Sequence, residues 1–72
     1  MDVKQQIIMY VNEIGSLRSQ VSQHWSWAEK SIQAGHVEDA IPLLNRYFHL
    51  KEQLEGAESR LASALRGTFS DR

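Results

Sequence analysis

One interruption in a long helical repeat constrains the fold of this chain most. Apolar residues recur at three- and four-residue spacing over residues 3–32 and again over residues 37–65, and Gly35 lies between the two stretches. This spacing is typical of amphipathic helices, and glycine often ends a helix because it adopts the left-handed conformation without steric cost. The pattern therefore predicts an all-α fold, an antiparallel hairpin of two long helices over about residues 2–33 and 38–66.

Within each predicted helix the apolar residues form two rows at seven-residue spacing, which together we call the seam. The rows of the first helix are Ile7, Ile14, Val21, Ala28 and Val3, Tyr10, Leu17, His24. The rows of the second helix are Ala40, Tyr47, Leu54, Leu61 and Leu43, Leu50, Ala57, Ala64. Because a tight turn aligns the two helices antiparallel, the seam predicts facing pairs of a large and a small residue, such as Ile14 opposite Ala57.

The start of the second helix depends on Pro42, which has no backbone N–H to donate. If Asp39 is the N-cap, Pro42 falls in the first turn, where its missing N–H has no intrahelical acceptor in any case. If the helix instead begins at Val37, Pro42 removes one hydrogen bond and bends the first turn. We expect the first arrangement, with an irregular turn over residues 36–39.

The length of 72 residues predicts a single domain, 1–72. Gly67 is expected to end the second helix and to leave residues 67–72 as a frayed tail. Gly15 and Gly56 fall at the same level of the predicted hairpin. Two glycines inside helices indicate a close backbone approach, a bend, or surface positions without structural consequence.

The composition excludes several classes of function. There is no cysteine, and the 8 basic residues nearly balance the 9 acidic ones along the whole chain. The basic stripe that phosphate binding requires is missing, and no apolar run approaches the length of a membrane span. The N-terminus lacks the order of a signal peptide, so we expect a cytoplasmic protein.

The titratable residues do not form a catalytic or metal-binding pattern. The three histidines lie at least twelve residues apart, so none has a partner at the i, i+4 spacing of a helical metal pair. Glu52, Glu55 and Glu58 repeat beside Lys51 and Arg60, which favours a solvated face with ion pairs within the helix. We therefore expect no enzyme activity, no metal site and no cofactor.

The apolar stripe is wider than the seam at both ends of the hairpin. Two helices that meet along one line cannot bury such a stripe, and exposed apolar patches mark interaction sites. Tryptophan in particular is favoured at the centres of interfaces. The residues expected to contact a partner are Trp25, Trp27, Ile41, Leu44 and Phe48 at the turn end and Ile8, Val11, Leu65 and Phe69 at the terminal end.

Two resemblances to known families follow from these residues. The segment AGHVEDAI at residues 34–41, followed by Leu43 and Leu44, resembles the turn within a tetratricopeptide helix pair. It occurs once, whereas such repeats must stack, so it indicates shared turn chemistry. The whole chain, with its polar N-terminus, long first helix, glycine turn near residue 35 and second helix of similar length, resembles the small co-chaperones of type III secretion needle subunits.

This second resemblance implies a helical hairpin that pairs with a tetratricopeptide-like chaperone and helps to keep a needle protein soluble in the bacterial cytoplasm. The wide apolar ends would then be the chaperone-binding surface. More generally, the sequence predicts a non-enzymatic protein–protein interaction module, a chaperone or adaptor that forms a helical bundle as a homodimer or homotetramer, or with a helical partner.

Two alternative functions remain open. The first is a homodimeric four-helix-bundle regulator that binds RNA; the interspersed acidic and basic residues argue against it, and we do not expect a nucleic-acid partner. The second is a structural or phage-encoded adaptor.

Overall fold

The computed structural model describes residues 2–69, and side chains for residues 2–67. The chain forms two α-helices, α1 (Val3–Gln33) and α2 (Val37–Phe69), which pack against each other as an antiparallel hairpin. The hairpin measures 57 × 15 × 15 Å between Cα atoms. The predicted all-α hairpin is thus confirmed. Neither helix, within residues 2–69, combines the length and apolar content that crossing a bilayer requires.

The turn between the helices is held by a full set of C-terminal capping hydrogen bonds. Gly35 has φ of +83°, a conformation that favours glycine. Its N–H donates to the carbonyl of Ile32 at 3.0 Å, and the N–H of His36 donates to the carbonyl of Ser31 at 2.8 Å. These two bonds form a Schellman motif, which satisfies carbonyls that the helix end leaves open. Gly35 therefore ends α1, as the sequence predicts.

The expected irregular turn over residues 36–39 is wrong, because α2 begins directly at Val37. The carbonyl of His36 accepts the N–H of Asp39 at 3.1 Å, so the helical hydrogen bonds start before Pro42. The proline lies inside the helix and removes the bond to the carbonyl of Glu38. Both residues are exposed, so water can bond to that carbonyl and the helix tolerates the loss.

The C-terminal end of α2 also differs from the prediction. The helix continues through Gly67 to Phe69, three residues beyond the expected end at Arg66. Glycine permits the left-handed conformation but does not impose it, and Gly67 has no positive φ. The part of the expected frayed tail that the structure describes is therefore helical, and residues 70–72 lie outside the described residues.

The hydrophobic core consists entirely of seam residues. The buried side chains are Ile14, Leu17, Ala28, Ala40, Leu50 and Ala57. Val21, Leu54 and Leu61 pack against the middle of this set. Half of the buried residues are alanines, whose small side chains leave room for the larger seam residues of the other helix. The core is narrow, and most of the remaining apolar surface stays in contact with solvent.

The two helix backbones do not approach each other closely at either of the two mid-helix glycines. A Cβ atom added at Gly15 would meet nothing within 4 Å, and one added at Gly56 would meet only the guanidinium of Arg60 at 3.7 Å. Of the interpretations that the sequence left open, a close backbone approach is therefore excluded. Both glycines cost helix stability without a packing requirement in the hairpin itself.

We accordingly expect that Gly15→Ala and Gly56→Ala each raise the free energy of unfolding by about 1 kcal/mol, because alanine is the better helix former and both methyl groups fit. Urea unfolding followed by circular dichroism measures the change. Gly35→Ala serves as the control of opposite sign, since its positive φ strains an alanine. A loss of stability at Gly15 or Gly56 would contradict the prediction.

Candidate interaction surface

The exposed apolar residues lie mainly on one side of the hairpin. On each helix they follow the seam at positions that share one flank, because steps of three and four residues keep side chains on the same helix face. We call this side the apolar face. Its members are Ile8, Val11, Trp25 and Ile32 on α1 and Val37, Ile41, Leu44, Phe48, Ala62 and Leu65 on α2.

The turn end of the apolar face carries an aromatic cluster formed by Trp25, Tyr47 and Phe48. The ring centroids of Trp25 and Tyr47 are 5.2 Å apart, and those of Tyr47 and Phe48 are 5.0 Å apart in an edge-to-face arrangement. Trp25 remains 48% exposed and Phe48 56% exposed. Two large rings are thus held in place by their neighbours while much of their surface faces water, as at protein interfaces.

An ion pair crosses the two helices at the middle of the apolar face. The guanidinium of Arg18 donates to the carboxylate of Glu58 at 2.8 Å. Both side chains are largely exposed, so the pair contributes at most about 1 kcal/mol to stability. Nearby, the ammonium of Lys51 lies 5.8 Å from the centroid of the Tyr47 ring. The apolar face therefore has a charged middle between two apolar ends.

The terminal half of the apolar face contains an open groove of about 440 Å³ between the helices. Its α1 side is formed by Val11, Ile14, Gly15 and Arg18, and its α2 side by Glu58, Leu61, Ala62 and Leu65. The groove exists because Gly15 has no side chain and Ala62 has only a methyl group. Ala62 lies two heptads beyond Phe48, so it occupies the helix position that carries a ring at the turn end. Its walls are mostly apolar and suit a large apolar side chain.

The opposite side of the hairpin is polar. It carries Glu13, Gln20, Gln23, Lys30, Arg46, His49, Gln53 and Arg60. Met9 and Trp27 are the large apolar side chains that interrupt it. Trp27 is 46% exposed. Its ring packs edge-to-face with that of His24 on the same helix, with the ring centroids 5.2 Å apart. The two tryptophans therefore flank the seam on opposite sides, and only Trp25 belongs to the apolar face.

The residues that the sequence singled out for partner contact are mostly solvent-exposed. Ile8, Val11, Trp25, Trp27, Ile41, Phe48 and Leu65 are all exposed. Leu44 is half-buried at the edge of the seam, and the side chain of Phe69 lies outside the described residues. Apart from Trp27, all of those with described side chains lie on the apolar face, which brings the two predicted ends onto one continuous side.

Several titratable residues have local partners. His24 is half-buried, and its Nδ1 lies 2.8 Å from the carbonyl of Gln20, so an Nδ1–H must donate this bond. Glu58 pairs across the helices with Arg18, whereas the sequence suggested ion pairs within α2. The Arg60 side chain donates to the carbonyl of Gly56 at 3.3 Å. Within residues 2–69, no three histidine, aspartate or glutamate side chains are grouped so that they could hold a metal ion.

Sequence reasoning did not identify the Arg18–Glu58 ion pair, the groove at Gly15 or the one-sidedness of the apolar face. A signal was available, because Arg18 and Glu58 each directly follow a buried seam residue, Leu17 and Ala57. In an antiparallel pair such positions lie on the same flank of the seam. The sequence shows that the apolar stripe widens at each end of the hairpin. The side on which it widens can be assigned only by comparing these flanks.

Comparison of the chain with protein-family models gives no match, and comparisons with curated proteins and with solved structures likewise give none.

Proposed function

We propose that this chain is a non-enzymatic protein–protein interaction module that acts in the cytoplasm as an adaptor or small chaperone. Its apolar face docks onto the helices of another polypeptide. The observation that carries the proposal is the placement of eight of the eleven exposed large apolar side chains, among the described residues, on one side of the hairpin. Soluble monomers rarely expose large apolar patches, such as the two ends of this face, without using them for binding.

The hairpin geometry supports helices as the partner structure. The apolar face is long and narrow, with an open groove between α1 and α2 in its terminal half. An amphipathic helix can lie along such a face with residues at three- and four-residue spacing as anchors. We further propose that the chain is a co-chaperone like those of type III secretion needle subunits. This part of the proposal is supported by the length of the chain and the position of its turn. A helical, tetratricopeptide-like chaperone would then be the partner.

The alternative of an RNA-binding regulator is less well supported by the surface. An RNA-binding face requires clustered basic side chains that neutralise phosphates. Here Arg18 is paired with Glu58 and the ammonium of Lys51 lies over the Tyr47 ring. We therefore expect no salt-dependent retardation of a hairpin RNA by the purified protein.

The proposal is tested by capture with matched variants. Phe48→Glu places a negative charge in the apolar face. His49→Glu places the same charge one residue further along, on the polar side of the hairpin. Both wild-type side chains are exposed. Immobilised wild-type protein and His49→Glu should retain the same helical protein, either another host protein or the chain itself, and Phe48→Glu should lose it. Calorimetry then measures the direct binding of the purified partner to each of the three proteins.

Two results would contradict the proposal. The first is equal retention by all three proteins, since the apolar face would then not be the docking surface. The second is retardation of RNA that weakens steeply with salt, which would favour the regulator.

A further inference from the structure

We infer that the occupant of the apolar face is a second copy of this chain, laid across it in the opposite direction so that the turn end of each hairpin covers the terminal end of the other. The product is a two-fold symmetric four-helix bundle. This inference rests on the proposed function and names its partner. It follows from the sizes, spacings and charges of the side chains on the apolar face.

The two ends of the apolar face are complementary in size. The turn end projects the half-exposed rings of Trp25 and Phe48, and the terminal end holds the groove of about 440 Å³ whose floor includes Gly15 and Ala62. Once a partner covers this face the groove becomes part of an interior, and because protein interiors pack without large voids, a large side chain of the partner has to fill it. The chain itself carries two such side chains at its other end.

The spacing of these residues on α2 fits a two-fold axis perpendicular to the helices at the level of Glu55. Phe48 and Ala62 are equally far from Glu55, so this axis places the ring of Phe48 of one copy over Ala62 of the other. Glu55 lies near the middle of α2, so the two hairpins overlap along almost their whole length.

The same axis pairs other residues of the apolar face. On α1, Ser16 lies level with Glu55 because Ile14 lies opposite Ala57. Trp25 and Ile8 are nine and eight residues from Ser16, so the ring of one copy meets the isoleucine of the other. On α2, Leu44 and Leu65 are related in this way to within one residue of Glu55. The apolar ends that exceed the hairpin's own core thus cover one another.

The charges on either side of the axis are complementary. Lys51 and Glu58 lie on either side of Glu55, four and three residues away, so Lys51 of one copy meets Glu58 of the second copy. Opposite charges across an interface set register and orientation. Glu55 lies closest to the axis and faces its own counterpart; this like-charge contact opposes association, and its position makes Glu55 the most informative residue for a test.

The dimensions of the face suit a stable dimer. The hairpin measures 57 by 15 Å between Cα atoms, so one side of it is large enough to contribute the ~800 Å² that each partner gives to an interface of standard size. The opposite orientation, with both turns at the same end, brings ring against ring and groove against groove. That arrangement leaves two grooves unfilled, which the packing of protein interiors disfavours.

The first experiment measures mass by light scattering across a wide range of protein concentration. The wild-type chain should reach twice its 8.3 kDa. Gly15→Phe fills the groove and should return the mass to 8.3 kDa, with helicity retained by circular dichroism. Gly56→Phe is the matched control, because it makes the same substitution in a helix interior away from the groove, and it should remain a dimer.

The second experiment determines the orientation by cross-linking, which is clean because the chain contains no cysteine. Glu55→Cys places two thiols close to each other across the axis, and oxidised glutathione converts them to one disulfide while it is reduced to two glutathione molecules. A covalent dimer should form. Glu52→Cys, on the solvent side of the same helix, should remain uncross-linked, since a disulfide requires Cα atoms within about 7 Å.

The outcomes separate this inference from the proposed function. A double-mass protein in which Glu55→Cys fails to cross-link overturns the head-to-tail orientation. A protein of 8.3 kDa that captures a different helical protein through Phe48 overturns the second copy as the occupant and leaves the proposed function in place. A protein of 8.3 kDa that captures nothing through the apolar face overturns both.

Discussion

Leu50→Ala is expected to unfold the isolated hairpin to a large extent. Leu50 is 1% exposed and is the largest fully buried side chain in the described part of the chain. It belongs to the core cluster with Ile14, Leu17 and Ala57. Truncation of a buried leucine to alanine typically costs about 2–5 kcal/mol, and a domain of this size usually has a net stability of only about 3–5 kcal/mol.

Urea unfolding of Leu50→Ala and wild type at the same protein concentration measures this loss, because the stability of a self-associating protein depends on concentration. Met9→Ala is the control. Met9 is 56% exposed on the polar side, and a surface substitution of this kind should stay within about 0.5 kcal/mol of wild type. Comparable losses at both positions would show that the helices are not held together by the narrow core described above.

The seam could be predicted from the sequence because a seven-residue repeat determines which helix positions face the partner helix. All six buried residues in the described part of the chain belong to it. In contrast, the start of α2 at Val37 could not be deduced from local rules. The cost of Pro42 depends on whether the carbonyl it leaves unbonded reaches water, and that depends on which side of the helix faces the core.

The candidate surface was predictable in content but not in shape. The excess of apolar residues at both ends follows from composition along the chain. Their collection on one side, and the groove beside Arg18 and Glu58, depend on how α1 and α2 rotate about the seam. A count of apolar residues contains no information on that rotation. The two-residue spacing of Trp25 and Trp27 does place them on opposite flanks of the seam, but it does not show which flank continues as the apolar face, so the sequence alone assigns both to partner contact.

This difference between the tryptophans leads to the second large expected effect. Trp25 and Trp27 are almost equally exposed, at 48% and 46%, and both lie on α1. Trp25→Ala removes a ring from the centre of the turn end of the apolar face, and the loss of such an interface residue costs about 2 kcal/mol of binding or more. The dissociation constant of the complex should therefore rise at least about 30-fold.

Trp27→Ala is the matched control and should leave the dissociation constant of the complex nearly unchanged. Trp27 lies on the polar side, where its ring packs against that of His24 on the same helix. Each variant also retains one tryptophan as a fluorescent reporter. The emission of Trp25 in Trp27→Ala should shift to shorter wavelength as the complex forms, whereas the emission of Trp27 in Trp25→Ala should not. Equal weakening by both substitutions would mean that binding uses both sides of the hairpin, and the one-sided apolar face would then not be the docking surface.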